Sequence, residues 1–374
     1  MVKMKPEQSK VLKEIFGKNW KKVPQVGEFK HDIFGVKIKK GNIIGLGVYQ
    51  TQISTLPESI GDLIALQELE LGKNQLTVLP ESIGNLSSLE GLNLWCNQLT
   101  TLPESIGNLS SLKQLILINN NLSTLPESIG NLSSLKELLL DLNKLTTLPQ
   151  SIGNLRSLQT LSLGDMGGNK LTTLPESIGN LKSLKNLRLG MNELTTLPES
   201  IGNLSSLENL NLWCNRLTTL PESIGNLSSL KQLILIDNNL STLPESIWNL
   251  TSLQELESGS NWLTTLPESI SNLKSLEILW LENNQVSTLP ESIGNLSSLK
   301  ELRLDSNKLT TLPASIGNLK SLQTLNLDEN EITTLPESIE NLSSLKELRL
   351  DDNKLTTLPE AIKILEQRGV TIYK

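Results

Sequence analysis

A self-similar period of 23 residues constrains this chain more than any other feature. From Ile43 onward the pattern LxxLxLxxNxLxxLPxxIxxLxx recurs, and LQELELGKNQLTVLPESIGNLSS at 66–88 is a clear copy. Units begin at Ile43, Leu66, Leu89, Leu112, Leu135, Leu158, Leu184, Leu207, Leu230, Leu253, Leu276, Leu299, Leu322 and Leu345, giving 14 units. Thirteen have 23 residues and the one from Leu158 has 26, because LSLGDMGGNKL inserts three residues before Asn169. A period of this size marks a stacked array, in which one unit cannot bury its own apolar face and neighbours bury it together. The usual inference from 374 residues, two or three globular domains, does not apply to such a chain.

Each template position has a physical reason. The LxL stretch alternates with period two, which predicts a short strand with its leucines turned inward. Strands of successive units then pair in parallel. An asparagine follows once per unit, from Asn74 to Asn353, with Thr51 in its place in the first unit. A buried asparagine at a bend needs partners for its amide, so stacked copies predict a hydrogen-bonded ladder. Fourteen of the 16 prolines occupy the Leu-Pro position. There proline opens a return path, and PESIGN supplies an acidic helical start. The bulk of the return path bends the stack with its strands on the inside.

This pattern resembles the leucine-rich-repeat family, in particular its 23-residue Leu-Pro class of bacterial proteins, including those of spirochaetes, and of intracellular eukaryotic scaffolds. The resemblance covers residues 43–367. It implies an α/β solenoid, a curved horseshoe with a parallel sheet on the concave face and short helical or irregular turns on the convex face. It also implies recognition of a protein partner on the concave sheet. A fold alone does not carry that function.

A solenoid must close its ends. Residues 1–42 read as an N-terminal cap. PEQSKVLKEIFG places Val11, Leu12, Ile15 and Phe16 on one helical stripe, with Pro6 suited to the first turn. GVKIKKGNIIGLGV reads as two strands around a Lys-Gly-Asn turn, the second belonging to the first repeat. Phe16, Trp20, Phe29 and Phe34 are expected to plug the open core, and His31, the single histidine, is expected at the surface or in the cap. At the other end PEAIKILEQRG predicts an elongated last helix, and residues 368–374 a capping strand.

A net charge of −7 argues against nucleic acid, which selects basic faces. No apolar run reaches signal-peptide or membrane-span length. Cys96 and Cys214 stand five units apart, so two free thiols are expected. Asn-Leu-Ser/Thr recurs eight times, for example at Asn85 and Asn341, and each would be a glycosylation acceptor in a eukaryotic secretory route. So many acceptors within packed repeats point to a bacterial or cytosolic chain. There is no phosphate-cradling glycine loop, no Cys/His set at metal spacing and no nucleophile with a histidine nearby. No catalytic role, metal or cofactor is therefore expected, and Gly164–Gly168 reads as a bulge at a strand end.

The informative residues are those the template leaves free. Two stretches are apolar where the sheet should face outward. Trp95 is followed by Ile116, Ile118, Leu139 and Leu142, and Trp213 by Ile234 and Ile236, with Trp262 and Trp280 beyond. Exposed apolar patches mark binding surfaces, and tryptophan is enriched at binding hot spots. The stretches are near copies, so duplication alone is the competing explanation. An acidic column, Asp305, Asp328 and Asp351 flanked by Glu329 and Asp352, is a possible site for a cation or a basic partner; the alternative is a solvated rim neutralised by Arg303 and Arg349. The expected function is a binding scaffold for a protein. The alternative is a surface adhesin or lectin-like protein binding host matrix or glycan.

Overall fold

A computed structural model describes residues 4–29, 32–356 and 359–374, and His31 lies outside the described residues. The chain forms two compact units, Met1–Asn192 and Glu193–Lys374. The first contains helix α1 (Pro6–Phe16) and strands β1 (Phe34–Lys39), β2 (Asn42–Val48), β3 (Glu68–Glu70), β4 (Gly91–Asn93), β5 (Gln114–Ile116), β6 (Glu137–Leu139), β7 (Thr160–Ser162) and β8 (Asn186–Arg188). The second contains β9 (Asn209–Asn211), β10 (Gln232–Ile234), β11 (Glu255–Glu257), β12 (Ile278–Trp280), β13 (Glu301–Arg303), β14 (Thr324–Asn326), β15 (Glu347–Arg349), helix α2 (Glu360–Gln367) and β16 (Thr371–Tyr373).

From β3 to β15 the strands are three residues long, because the bend that leads into each asparagine follows soon after. β1 and β2 are antiparallel around Lys40 and Gly41, both at positive φ. From β2 to β8 and from β9 to β16 the pairing is parallel, leucine against leucine, as in Leu69↔Leu92 and Leu233↔Leu256. The same register crosses the 26-residue unit, where Leu161 pairs with Leu138 and Leu187. Its extra residues sit beyond the strand, and Leu163 still donates its N–H to the Arg188 carbonyl at 2.8 Å. The insertion bulges without interrupting the sheet.

Strand leucines such as Leu69, Leu71, Leu92 and Leu94 are buried, and Ile83 and Leu86 of the return path meet them from the other side. Burying such side chains stabilises by about 2 kcal/mol each, which is how a stack of weak units holds. The asparagine ladder forms as expected. Asn97 accepts the Leu76 N–H at 3.0 Å and donates to the carbonyls of Leu71 and Leu94. The residue before it is left-handed in every unit from Lys73 on, apart from the long one, even where it is Leu142 (φ 55°) or Met191 (φ 52°).

The return path is a 3₁₀ turn over Glu-Ser-Ile-Gly-Asn, as at Glu81–Asn85, entered from an extended proline. Successive turns are stitched together: Glu127 accepts the Ser151 N–H at 3.1 Å, and Ser151 holds its carboxyl below the ordinary value. The turn glycine has a steric reason. A Cβ on Gly84 would lie 2.4 Å from the Ser105 carbonyl oxygen of the next turn. Trp248 stands in this column and is enclosed, 2% exposed, with an indole N–H that has no partner among the described residues.

At the N-terminal end the helix and hairpin form as read, but the aromatic plug does not. Val11 and Leu12, with Val36 from β1, are buried, whereas Phe16, Trp20 and Phe29 are half-buried and Phe34 is 40% exposed. Phe16 and Phe34 pair edge to face outside the core, and Phe29 lies over Gly45. Aliphatic side chains match the leucine-lined interior, and the larger rings cover its rim. Gln8 completes this end, accepting the Ile43 N–H at 2.6 Å.

Candidate binding surface

Side chains between and after the strand leucines stand on the face opposite the core and form columns across neighbouring strands. In the first unit, one column runs Asn93, Ile116, Leu139 and the next runs Trp95, Ile118, Asp141. The structure brings Trp95, Ile116, Ile118, Leu139 and Leu142 together as the walls of one groove of about 290 Å³. Met166, 72% exposed, closes one side, and Asp32 another. Met166 belongs to the three-residue insertion and Asp32 to the N-terminal segment, so neither is visible as a site residue from the repeat template.

Trp95 is held in place on several sides. Its indole N–H donates to Asp32 at 3.3 Å, its ring stacks on Tyr49 at 6.3 Å, and the Lys73 ammonium sits 4.9 Å from its centroid. It also covers Gly72, where a Cβ would clash with the indole at 2.4 Å. The glycine gives the tryptophan a seat, and an aromatic fixed in this way loses little freedom on binding. Asp141, buried at the back, accepts from the Ser162 hydroxyl at 2.8 Å and the Asp165 N–H at 2.5 Å, tying the insertion to the sheet.

The second apolar stretch is placed differently. Trp213, Ile234 and Ile236 are half-buried on the strand face, but β10 pairs Ile234 with Glu257 of β11, and Glu257 in turn pairs with Trp280 of β12. An acid therefore divides the apolar residues. Burial, then the neighbouring Glu255 and Glu282, pushes the Glu257 carboxyl up to about 8. Burial also raises Glu282, whose carboxylate folds over Gly259, where a Cβ would lie 2.2 Å from it. Trp280 is not a free anchor: it donates to Glu301 at 3.0 Å and lies under the Arg303 guanidinium at 4.0 Å. Trp262, 58% exposed, is the residue after the ladder asparagine Asn261 and lies beyond the end of β11.

The acidic column is resolved into separate partners. Arg349 donates to Asp328 at 2.6 Å, while Asn326 donates to Asp305 at 2.8 Å. Glu329 accepts from Ser306 at 2.8 Å. Asp351 and Asp352 follow on the next strand end. Arg349 thus pairs with Asp328 of the column, while Arg303 turns to Glu301 at 2.6 Å. Burial raises the Asp305 carboxyl. Among the described residues no group of three or more His, Cys, Asp or Glu side chains is arranged to hold a metal ion. Cys96 and Cys214 are both free thiols, and no described helix is long and apolar enough to cross a membrane.

Comparison with known proteins places this geometry. A family model described as a leucine-rich repeat region matches residues 45–120, 83–189, 126–219, 175–263 and 290–367. The chain belongs to the leucine-rich-repeat family. A second leucine-rich-repeat model matches 275–296. A leucine-rich-repeat protein of Leptospira interrogans is 40% identical over 88% of this chain and 83% of its own, with a TM-score of 0.81. The ectodomain of the Arabidopsis thaliana receptor kinase GASSHO1/SCHENGEN3, solved with CASPARIAN STRIP INTEGRITY FACTOR 2, is 35% identical over 82% of this chain and 41% of its own (TM-score 0.62). The plant peptide hormone receptor RGFR1, solved with RGF2, is 33% identical over 90% of this chain and 59% of its own (TM-score 0.68). A search of curated proteins found no match.

Proposed function

We propose that the protein is a non-enzymatic scaffold that captures a protein partner on its strand face, with the Trp95 groove as the principal contact. One observation carries this reading: Trp95, Ile116, Ile118, Leu139, Leu142 and Met166, drawn from three repeats and an insertion, line a single groove. A soluble surface that keeps so many apolar side chains around one concavity is suited to an apolar segment of a partner. The rigid, pre-seated Trp95 supplies the kind of central aromatic that dominates binding energy. Asn93 and Asn119, which also line the groove, offer amides to a partner's backbone. The leucine-rich-repeat receptors that resemble this chain were solved with protein or peptide partners, which supports the same class of ligand.

The test is affinity capture with the intact chain and with Ile116→Asp/Leu139→Asp, compared by mass spectrometry. Both side chains are half-buried on the outer face, so the variant is expected to keep its melting temperature within a few degrees. Partners specific to the groove should vanish from the variant's capture. Identical partner sets from both proteins would move the binding surface elsewhere.

A further inference from the structure

The first 42 residues contain eleven lysines, no arginine and four carboxylates, a net charge of +7, whereas the rest of the chain carries −14. Lysines on a surface are ordinary, but an excess opposite in sign to the remaining chain makes a local field that gathers anions. The same segment holds a half-open cavity of about 720 Å³. Its walls are Leu12 of α1, Val36 and Ile38 of β1, and Trp20 and Val23 of the connecting segment. Lys21 and Lys22, both exposed, also line it. The ammonium groups of Lys13 and Lys21 stand 5.2 and 5.8 Å from the Trp20 ring centroid. The volume falls within the roughly 300–1,000 Å³ of ordinary ligand sites.

The chemistry of this site is two-ended. One end is an apolar cavity with an aromatic wall, and the other is a cluster of fixed positive charge. An acidic peptide, or the acidic repeats of a second copy, would satisfy the lysines and leave the apolar wall unfilled. A neutral apolar molecule would do the reverse. We propose that the N-terminal segment is a docking site for the surface of an anionic lipid bilayer. The lysines engage the headgroups, Trp20 lies at the level of the interface, and the cavity takes the end of an acyl chain. One inserted chain combined with a basic cluster is the pairing that gives stable attachment, where either alone is marginal. The site shares no residue with the Trp95 groove, so it stands or falls independently of the function proposed there.

The experiment is vesicle co-sedimentation of the full chain with phosphatidylcholine alone and with phosphatidylcholine containing phosphatidylglycerol. Binding is expected only to the anionic vesicles, and it should weaken as salt is raised. Lys21→Glu/Lys22→Glu should reduce the partition coefficient by roughly 25-fold or more, at about fivefold for each lysine lost. Both side chains are exposed, and an unchanged thermal melt would show that this variant folds. Vesicles with brominated acyl chains should quench tryptophan emission, and the quenching should be absent from Trp20→Phe. Equal binding to neutral vesicles, binding that survives the double reversal, or binding without quenching would overturn the proposal. So would capture of polyglutamate in place of vesicles, which would assign the patch to an acidic protein.

Discussion

Two single positions decide measurable amounts of stability in the second unit. Ser258 occupies the strand position that holds leucine or valine in every other unit; it is fully buried, and its hydroxyl has no partner among the described residues. Ser258→Leu should restore the column between Leu235 and Leu281 and stabilise by about 1–2 kcal/mol. A lower melting temperature would show that the neighbours have already closed around serine. Glu257 next to it is a titration effect. Its ordinary value is 4.5 and the folded value is about 8, so the folded state binds the proton more tightly. The stability this contributes is complete below about pH 4.5 and is lost as pH rises through about 8. Glu257→Gln removes that dependence. The variant should gain on the parent by about 1–3 kcal/mol at about pH 9 and be nearly neutral at about pH 5, read from urea melts. Parallel pH profiles for the two proteins would show that Glu257 is solvated.

At the scale of the element, the asparagine ladder shows how much of a repeat is set by hydrogen bonds that no single unit can make. Asn120 accepts the Leu99 N–H at 3.0 Å and donates to the Leu94 and Leu117 carbonyls, so it joins adjacent units. Asn120→Ala strands the buried Leu99 N–H and removes one of two amide donors from each carbonyl, which Asn97 and Asn143 still serve, at a cost of about 1–3 kcal/mol. Gln98→Ala, at an exposed position in the same stretch, should cost under about 0.5 kcal/mol. Equal losses from the two changes in denaturant titrations would deny the ladder its role. Strand, ladder asparagine, proline-led turn and the long unit's bulge were all legible, because each is fixed by contacts repeated at one spacing. The ends were less legible. Composition drew the aromatics into the plug, yet the interior they had to match is aliphatic, so Val11 and Leu12 fill it. Trp248 is not legible from the repeat, because its neighbours in the column are mostly glycine and only the stacking of turns encloses it.

Over the whole molecule, the two near-copied stretches test what sequence similarity says about a surface. LNLWCNQL and LNLWCNRL differ at one residue, and both are followed by LKQLILI. Periodicity predicts equal patches, but their surroundings come from residues outside the copied block. Around Trp95 these are Leu139, Leu142, Met166 and Asp32, which complete a groove. Around Trp213 the equivalents of Leu139 and Leu142 are Glu257 and Ser260. A buried carboxyl beside Ile234 penalises an apolar ligand, because covering it removes its remaining water. The two stretches should therefore behave differently. Peptides selected from a random library against the intact chain should lose affinity by roughly tenfold or more on Ile118→Asp, and change by less than about twofold on Ile236→Asp. Both isoleucines are half-buried on the outer face in equivalent repeats, so each substitution puts the same chemistry in the same local backbone and the comparison isolates the groove. Equal losses would mean that the tryptophan–isoleucine block itself is the binding unit, used twice. Loss on Ile236→Asp alone would place the principal contact in the second unit.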